Sequence, residues 1–303
     1  MQSGVPSLSL GDYLHGDPSV REAFSTALTS GFQRYGFIIL RDHAIAAALI
    51  DEAYELTARF FAQAESVKRS YIAGPRGYAP FRTEHAKNQT IPDLKEFWQV
   101  GAESKAGPAN IWPAFPAGFK QTFVALFDGL QETGRTILEA LAPSLGVPKS
   151  FFDARIGERN SVLRLLHYPP VADDKDAGGV RSAAHEDINL ITLLLAPQGP
   201  GLELLDRDGR WLSVETRRNE LIVDSGDMLA RMTNDVIPAT THRVVNPSVE
   251  NVSRYSMPFF MHPDADVVLS CLPSCIGAGA KYPDIRAGTF LEQRLTEIGL
   301  VKP

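Results

Sequence analysis

Cysteine is nearly absent from this chain: Cys271 and Cys275 are the only two in 303 residues, spaced CxxxC with no second half. That excludes a disulfide framework and argues against a zinc ribbon. A basic excess is also missing, since 30 Lys+Arg against 36 Asp+Glu leave a formal charge of −6. Binders of nucleic acid or of anionic membranes carry a basic patch or excess, so neither partner is expected. No run of 18 apolar residues occurs, which excludes a transmembrane helix. The opening MQSGVPSLSLGDYLHGDPSV has neither a basic n-region nor an apolar h-region, so no secretory signal is expected and the cytoplasm is the expected compartment. Repeats, low-complexity tracts and charge blocks are lacking as well. Histidine is scarce enough, at seven, for each to be weighed.

What is present is an ordinary globular composition, 44% hydrophobic, long enough for one or two domains and a large core. The first third reads mostly helical. Val20, Phe24, Leu28 and Phe32 recur at helical spacing, and Tyr35 to Leu40 then reads as a buried strand. Ile45, Leu49, Ala53, Leu56 and Phe60 predict a second amphipathic helix, closed by the turn Gly74-Pro75-Arg76-Gly77. A third runs from Phe119 to Leu141 and stops near Pro143 and Gly146. After residue 160 the pattern turns to short strands: Val162–Tyr168, Ile188–Leu195, Gly201–Leu205, Trp211–Val214, Leu221–Asp224, Arg243–Val245 and Ser253–Phe260. Asp206 to Arg210 is a hairpin turn, and helix returns around Phe290, Leu291 and Leu295. Short strands at this spacing predict a jelly roll or barrel. The expected division is a mostly helical region over 1–150 and a β-rich domain with a C-terminal helix over 151–303.

Chemistry gathers at three residues: His185 and Asp187 in AAHEDINL, and His242 in TTHRVVNP. On a strand, residues i and i+2 face one side, so this imidazole and carboxylate can converge while Glu186 points away. A second histidine from another strand completes two histidines and one carboxylate on one face of a metal. Such a set leaves cis positions open and suits non-haem Fe(II) enzymes that activate oxygen. HxD by itself is common by chance. Arg254 and Ser256 in RYSMPFF form a second i, i+2 pair, a planar fork plus a hydroxyl, which suits a ligand carboxylate as well as it suits a solvated Arg beside a core-edge Ser. Tyr168 offers a phenol at the end of RLLHYPP, or simply packs before Pro169 and Pro170.

In order along the chain, VPSLSL, GFQRYGFIILRDHAI, RGYAPF, DLKEFWQVG, HYPP, HEDINLITLLL, GPGLELL, GDMLARMTN, HRVVNP and RYSMPFF resemble the isopenicillin N synthase-like group of Fe(II)/2-oxoglutarate oxygenases. The resemblance implies a mainly β fold with flanking helices, a double-stranded β-helix (distorted jelly roll) covered by the N-terminal helices. It implies that His185, Asp187 and His242 bind Fe(II), and that Arg254, Ser256 and Tyr168 hold 2-oxoglutarate. O2 would then oxidise a small-molecule substrate by hydroxylation, desaturation or ring closure, with release of succinate and CO2. No catalytic residue beyond the metal ligands is implied. Many plant members carry Asn where Leu166 stands, and Asp224 replaces the usual Asn before GD; Leu166 would alter the grip on the oxoacid. Halogenating relatives lack the carboxylate supplied by Asp187, so halogenation is not expected. Two alternatives stay open: a related iron oxidase that dispenses with 2-oxoglutarate, and a non-catalytic jelly-roll binding protein.

Strand parity adds one expectation. If Tyr168 faces the cavity, so do Val162, Arg164 and Leu166, and Arg164 would be positioned to hold an anionic substrate or to pair with an acid at the rim. Arg76 and Arg82 flank the loop that resembles the family's substrate side. Phe97, Trp98, Phe259 and Phe260 read as core and Trp112 as a packing anchor. The other histidines read blandly: His15 and His85 exposed, His43 structural, His167 facing away from Tyr168, and His262 in a loop past the RxS strand.

Overall fold

The structure is a computed structural model that describes residues 4–86, 90–103, 108–171, 178–248 and 250–298. Strand β1 (Ser7–Ser9) is followed by α1 (Leu10–His15), α2 (Pro18–Tyr35), β2 (Phe37–Arg41), α3 (Ala47–Phe61) and α4 (Glu65–Arg69). Then come β3 (Ile72–Ala73), β4 (Arg76–Ala79), β5 (Glu96–Gly101) and the long α5 (Phe119–Leu141). The second half supplies β6 (Val162–Tyr168), β7 (Ser182–His185), β8 (Ile191–Gln198), β9 (Leu202–Leu205), β10 (Trp211–Ser213), β11 (Leu221–Ser225), β12 (His242–Val244) and β13 (Arg254–Met261). Helix α6 (Asp227–Met232) lies between β11 and β12, and β14 (Val268–Leu269), β15 (Ile285–Arg286) and α7 (Ala287–Glu297) close the described chain.

The helices begin and end where local chemistry dictates. Asp17 caps α2 by accepting from the amides of Ser19 and Val20 at 2.8 and 3.1 Å, with Pro18 at the first helical position. Gly36 ends it in the left-handed region at φ 65°, and no side chain fits there, because a Cβ would lie 2.0 Å from Thr240 Oγ1. Phe24, Leu28 and Phe32 of α2, and Phe123, Phe127, Leu130, Ile137 and Leu141 of α5, are buried. Each such side chain contributes roughly 1.5–3 kcal/mol through burial.

The strands form two facing sheets. Nine assemble in the order β1-β2-β11-β8-β13-β6-β5-β4-β3, four in the order β10-β9-β12-β7, and β14 pairs with β15. Because strand side chains alternate, the large sheet has two interiors. Leu163, Leu165, Leu193, Leu195, Met257 and Phe259 join the core shared with the helices. Their neighbours Leu166, Tyr168, Leu194 and Ile222 join a second cluster with Leu202, Leu204 and Val244 of the small sheet. The jelly-roll expectation therefore holds, and so does the parity that turns Arg164, Leu166 and Tyr168 inward.

Three differences from the sequence reading have physical causes. The first half supplies more strands than the one expected at Tyr35–Leu40: that strand, β2, holds one edge of the large sheet together with β1, and β3, β4 and β5 extend the other. Glu96–Gly101 alternates too briefly to announce itself, and becomes a strand by pairing with β6. The strand expected from Ile188 starts at Ile191, because the amides of Leu190 and Gly226 close a turn onto Met261 and Leu190. Consequently His185 ends β7 and Asp187 lies beyond it. The two converge through a turn as well as through strand alternation. Among the described residues no helix is long and apolar enough to cross a membrane.

Candidate functional site

His185 and His242 face each other across the β7–β12 pair, where they are direct antiparallel partners. Their ring centroids lie 4.4 Å apart. Each Nε2 stands 3.8 Å from Asp187 Oδ1, and the three ligand atoms lie within 4.8 Å of one another. Both rings are oriented from behind. Nδ1 of His185 meets the Ala183 carbonyl at 2.8 Å, and Nδ1 of His242 meets that of Thr240 at 3.1 Å. A carbonyl can only accept, so each Nδ1 carries the proton and each Nε2 presents its lone pair to the shared point. Burial, together with the neighbouring His242, pulls His185 down to about 4, so the ligand is neutral at physiological pH. Phe37 packs edge-on against His242 at 5.6 Å.

Asp187 is held equally firmly. Thr192 Oγ1 donates to its Oδ2 and in turn accepts from Asn189 Nδ2 at 3.0 Å. Asp224, opposite Thr192 on β11, is buried; burial first and then the charge of Asp187 push its carboxyl well above the ordinary range. The departure noted at position 224 thus sits directly behind the metal carboxylate. Two imidazoles and a carboxylate on one face, with no fourth protein ligand in the cluster among the described residues, suit an iron with open positions.

The second half of the site lies deeper in the same cleft. Arg254 is 1% exposed, and its Nε, Nη1 and Nη2 all lack hydrogen-bond partners. Tyr168, its partner on β6, lies with its ring 5.2 Å from the guanidinium. Ser256, two residues on, faces the same cleft opposite Leu166. An unpaired buried charge costs several kcal/mol, which a chain sustains only where a ligand supplies the counter-charge. A carboxylate in the cleft would fill the guanidinium fork, with the triad at hand for the ligand's other end. The donor set therefore fits both Fe(II) and 2-oxoglutarate.

A larger cavity of about 830 Å³ opens on the other side of the triad, which lines it through His185 and Asp187. Arg164 stands between the two spaces and lines both. Its Nη1 bonds both carboxylate oxygens of Glu84 at 3.1 and 3.0 Å, and its Nη2 bonds Gln99 at 3.1 Å. It lies over the Phe97 ring at 4.2 Å. Lys95 Nζ lies 2.8 Å from Glu84 and from Asp93. Although burial opposes it, the two cations hold the Glu84 carboxyl well below the ordinary range.

Sequence reading did not single out this buried ring of Glu84, Asp93 and Lys95. Asp93 and Lys95 flank Leu94 and Glu84 lies well upstream, so the three look solvated in sequence and are brought together only by the fold. Phe97 and Phe260, read as core, line the large cavity as well. His85 is half-buried rather than exposed, because it too lies on that wall. His262 is buried against the cavity, and burial pulls it down to about 4. His15 is exposed, and the His43 ring meets the Asn219 carbonyl at 2.9 Å. His167 points away from the site to Glu96 and Ser253, at 2.7 and 3.0 Å.

A jelly roll that places two histidines and a carboxylate beside an unpaired buried arginine defines a mononuclear non-haem iron oxygenase. Comparison with known proteins narrows the class. Residues 159–263 match the 2OG-Fe(II) oxygenase superfamily, and residues 5–115 match the N-terminal region described as non-haem dioxygenase in morphine synthesis. The 2-oxoglutarate-Fe(II) type oxidoreductase hxnY of Emericella nidulans is 32% identical over 92% of this chain and 86% of its own. A full-length Neurospora crassa protein crystallised in complex with alpha-KG superposes with a TM-score of 0.88 at 30% identity, over 96% of both chains. A 2OG-Fe(II) oxygenase family protein from Caulobacter crescentus gives 0.86 at 41% identity, over 98% of this chain and 99% of that one. The chain belongs to the 2OG-Fe(II) oxygenase superfamily. It is an Fe(II)- and 2-oxoglutarate-dependent dioxygenase.

Proposed function

We propose that His185, Asp187 and His242 hold the iron, that Arg254, Ser256 and Tyr168 hold 2-oxoglutarate, and that a small-molecule substrate is oxidised in the 830 Å³ cavity, with Arg164 on its wall. Iron and 2-oxoglutarate held by these residues would supply oxygen activation, with succinate and CO2 as co-products. The chain supplies geometry. The Ala183 and Thr240 carbonyls aim the two imidazoles, Thr192 fixes the carboxylate, and Arg254 orients the oxoacid by its far end. The apolar side chains of Phe37, Leu194 and Leu202 line the inner cleft and limit water there. No general base is needed, and none is assigned.

The observation that carries this reading is Arg254, a buried guanidinium with three unpartnered nitrogens in line with the triad. It calls for a ligand carboxylate, and the likeness to a protein crystallised with alpha-KG favours 2-oxoglutarate as that ligand. Regions 1–150 and 151–303 are proposed as cover and oxygenase domain, in keeping with the two separate family matches. A cytoplasmic setting is proposed from the sequence, whose cysteines are both free. Among relatives, buaE of Petromyces alliaceus is a proline hydroxylase, 30% identical over 97% of this chain, and the Neurospora crassa protein has also been crystallised with thymine. Both bind small molecules, which supports the substrate size proposed here. The test is anaerobic addition of Fe(II) and 2-oxoglutarate. A visible charge-transfer band is expected in the wild type and absent in His185→Ala. Unchanged spectra in that variant, or oxygen uptake with no oxoacid present, would overturn the assignment.

A further inference from the structure

Among the described residues, the large cavity is lined by four cationic side chains, Arg76, Lys95, Arg164 and Arg294. Three of them have carboxylate partners. Lys95 has Glu84 and Asp93, Arg164 has Glu84, and Arg294 has Asp227 at 3.3 Å and Glu297 at 2.8 Å. Arg76 has none within 4.0 Å among the described residues. Its Nη1 donates 3.2 Å to the Pro75 carbonyl, and its buried Nε has no partner.

The guanidinium is seated rather than loose. Arg76 opens β4, beside β5, and lies against Gly101, the last residue of β5. A Cβ on Gly101 would stand 2.3 Å from Nη2, 2.5 Å from Nε and 2.6 Å from Cζ. Nη2 and Nε stand nearer than Cζ, so the guanidinium leans on the glycine by its Nε–Nη2 edge, which fixes the group in place and leaves its Nη1–Nη2 end for a ligand. Arg76, His262 and Asp187 of the triad all line this cavity. The Nδ1 of His262 is used on the Phe260 carbonyl at 3.2 Å, leaving Nε2 as an acceptor there.

We infer that Arg76 is the counter-ion for a carboxylate on the substrate, and that the enzyme acts on small monocarboxylic acids whose carbon skeleton passes Phe97 and Phe260 toward the triad. The inference rests on the dioxygenase reading and names its substrate class. Arg164 is not the counter-ion, because its charge is already matched by Glu84, whose two oxygens both lie on Nη1. One unmatched cation suits a single negative charge. A phosphate dianion would be left half-compensated.

The test uses the holoenzyme, anaerobic and saturated with Fe(II) and 2-oxoglutarate, so that acids cannot occupy the Arg254 fork. Melting temperature is read against benzoate, 3-phenylpropionate and cyclohexanecarboxylate, each paired with its primary amide. At least one acid is expected to raise the melting temperature where its amide does not. Arg76→Gln should weaken that acid's binding by roughly ten- to a hundredfold. Gly101→Ala keeps the charge but displaces the guanidinium, and should weaken it too; Arg76→Lys should recover part of it. A panel in which no acid exceeds its amide, or acid binding that Arg76→Gln leaves intact, overturns the inference. Failure of the reading beneath it looks different: the charge-transfer band with 2-oxoglutarate would itself be missing.

Discussion

Arg164 and Arg254 sit on adjoining strands, β6 and β13, and both turn toward the interior, yet they are built to opposite ends. Arg164 is matched in charge: Glu84 takes its Nη1, Gln99 its Nη2, Phe97 lies under its face, and only Nε is left without a partner. Arg254 is more deeply buried and meets no carboxylate among the described residues, with only the Tyr168 ring beside it. A buried cation matched by the protein is architecture, and the chain loses stability without it. A buried cation left unmatched lowers stability until a ligand arrives. The difference separates the wall of the cavity from the seat of the cosubstrate.

Replacing each arginine by a near-isosteric apolar residue should break this symmetry most sharply. Arg164→Met leaves Glu84 with Lys95 alone and should cost about 3 kcal/mol, measured by denaturant unfolding without ligands. Arg254→Met removes an orphaned charge and should be neutral or stabilising in the same assay, while 2-oxoglutarate affinity falls by roughly a hundredfold. Equal destabilisation by both would mean that the two sites do not differ in the way described.

A smaller effect comes from the hydroxyl behind the metal carboxylate. Thr192→Val removes the donor to Asp187 Oδ2 and should weaken Fe(II) binding by about tenfold, near the lower end for an outer partner of a ligand, because Asp224 stays alongside. An unchanged iron titration would show that Thr192 only packs.

The smallest and slowest-changing effect is on acid stability. Glu84 is held below its ordinary 4.5, so its contribution is fully present above that value. It is lost as pH falls through the lower folded pKa. Melting curves from pH 7 downward should therefore show the gap between wild type and Arg164→Met closing below about 4.5 as Glu84 protonates in both. Any gap between wild type and Arg254→Met has no such carboxyl behind it and should not close in that range.

Much of this was legible before any fold was seen. Period-2 alternation turned Arg164, Leu166 and Tyr168 to one face, and the structure turns them there. HxD, the distant His242 and the RxS pair named the donors, since only those residue types offer neutral nitrogen, carboxylate and planar fork in that order. Other features were not legible. Strands β3, β4 and β5 are too short to carry a period and exist because neighbouring strands complete their hydrogen bonds. Phe97 and Phe260 look the same in sequence whether they face a core or a cavity.

The chain by itself determined which chemical groups are available and, through alternation, which side of a strand each takes. Tertiary structure alone decided which charges are matched. Glu84 and Arg164 are 80 positions apart, and Arg76 is set apart by having no carboxylate partner among the described residues and a buried Nε with no acceptor. The physical reason is that the worth of a charge lies in its partner and in the water excluded around it. Both are properties of assembled space, and residue type records neither.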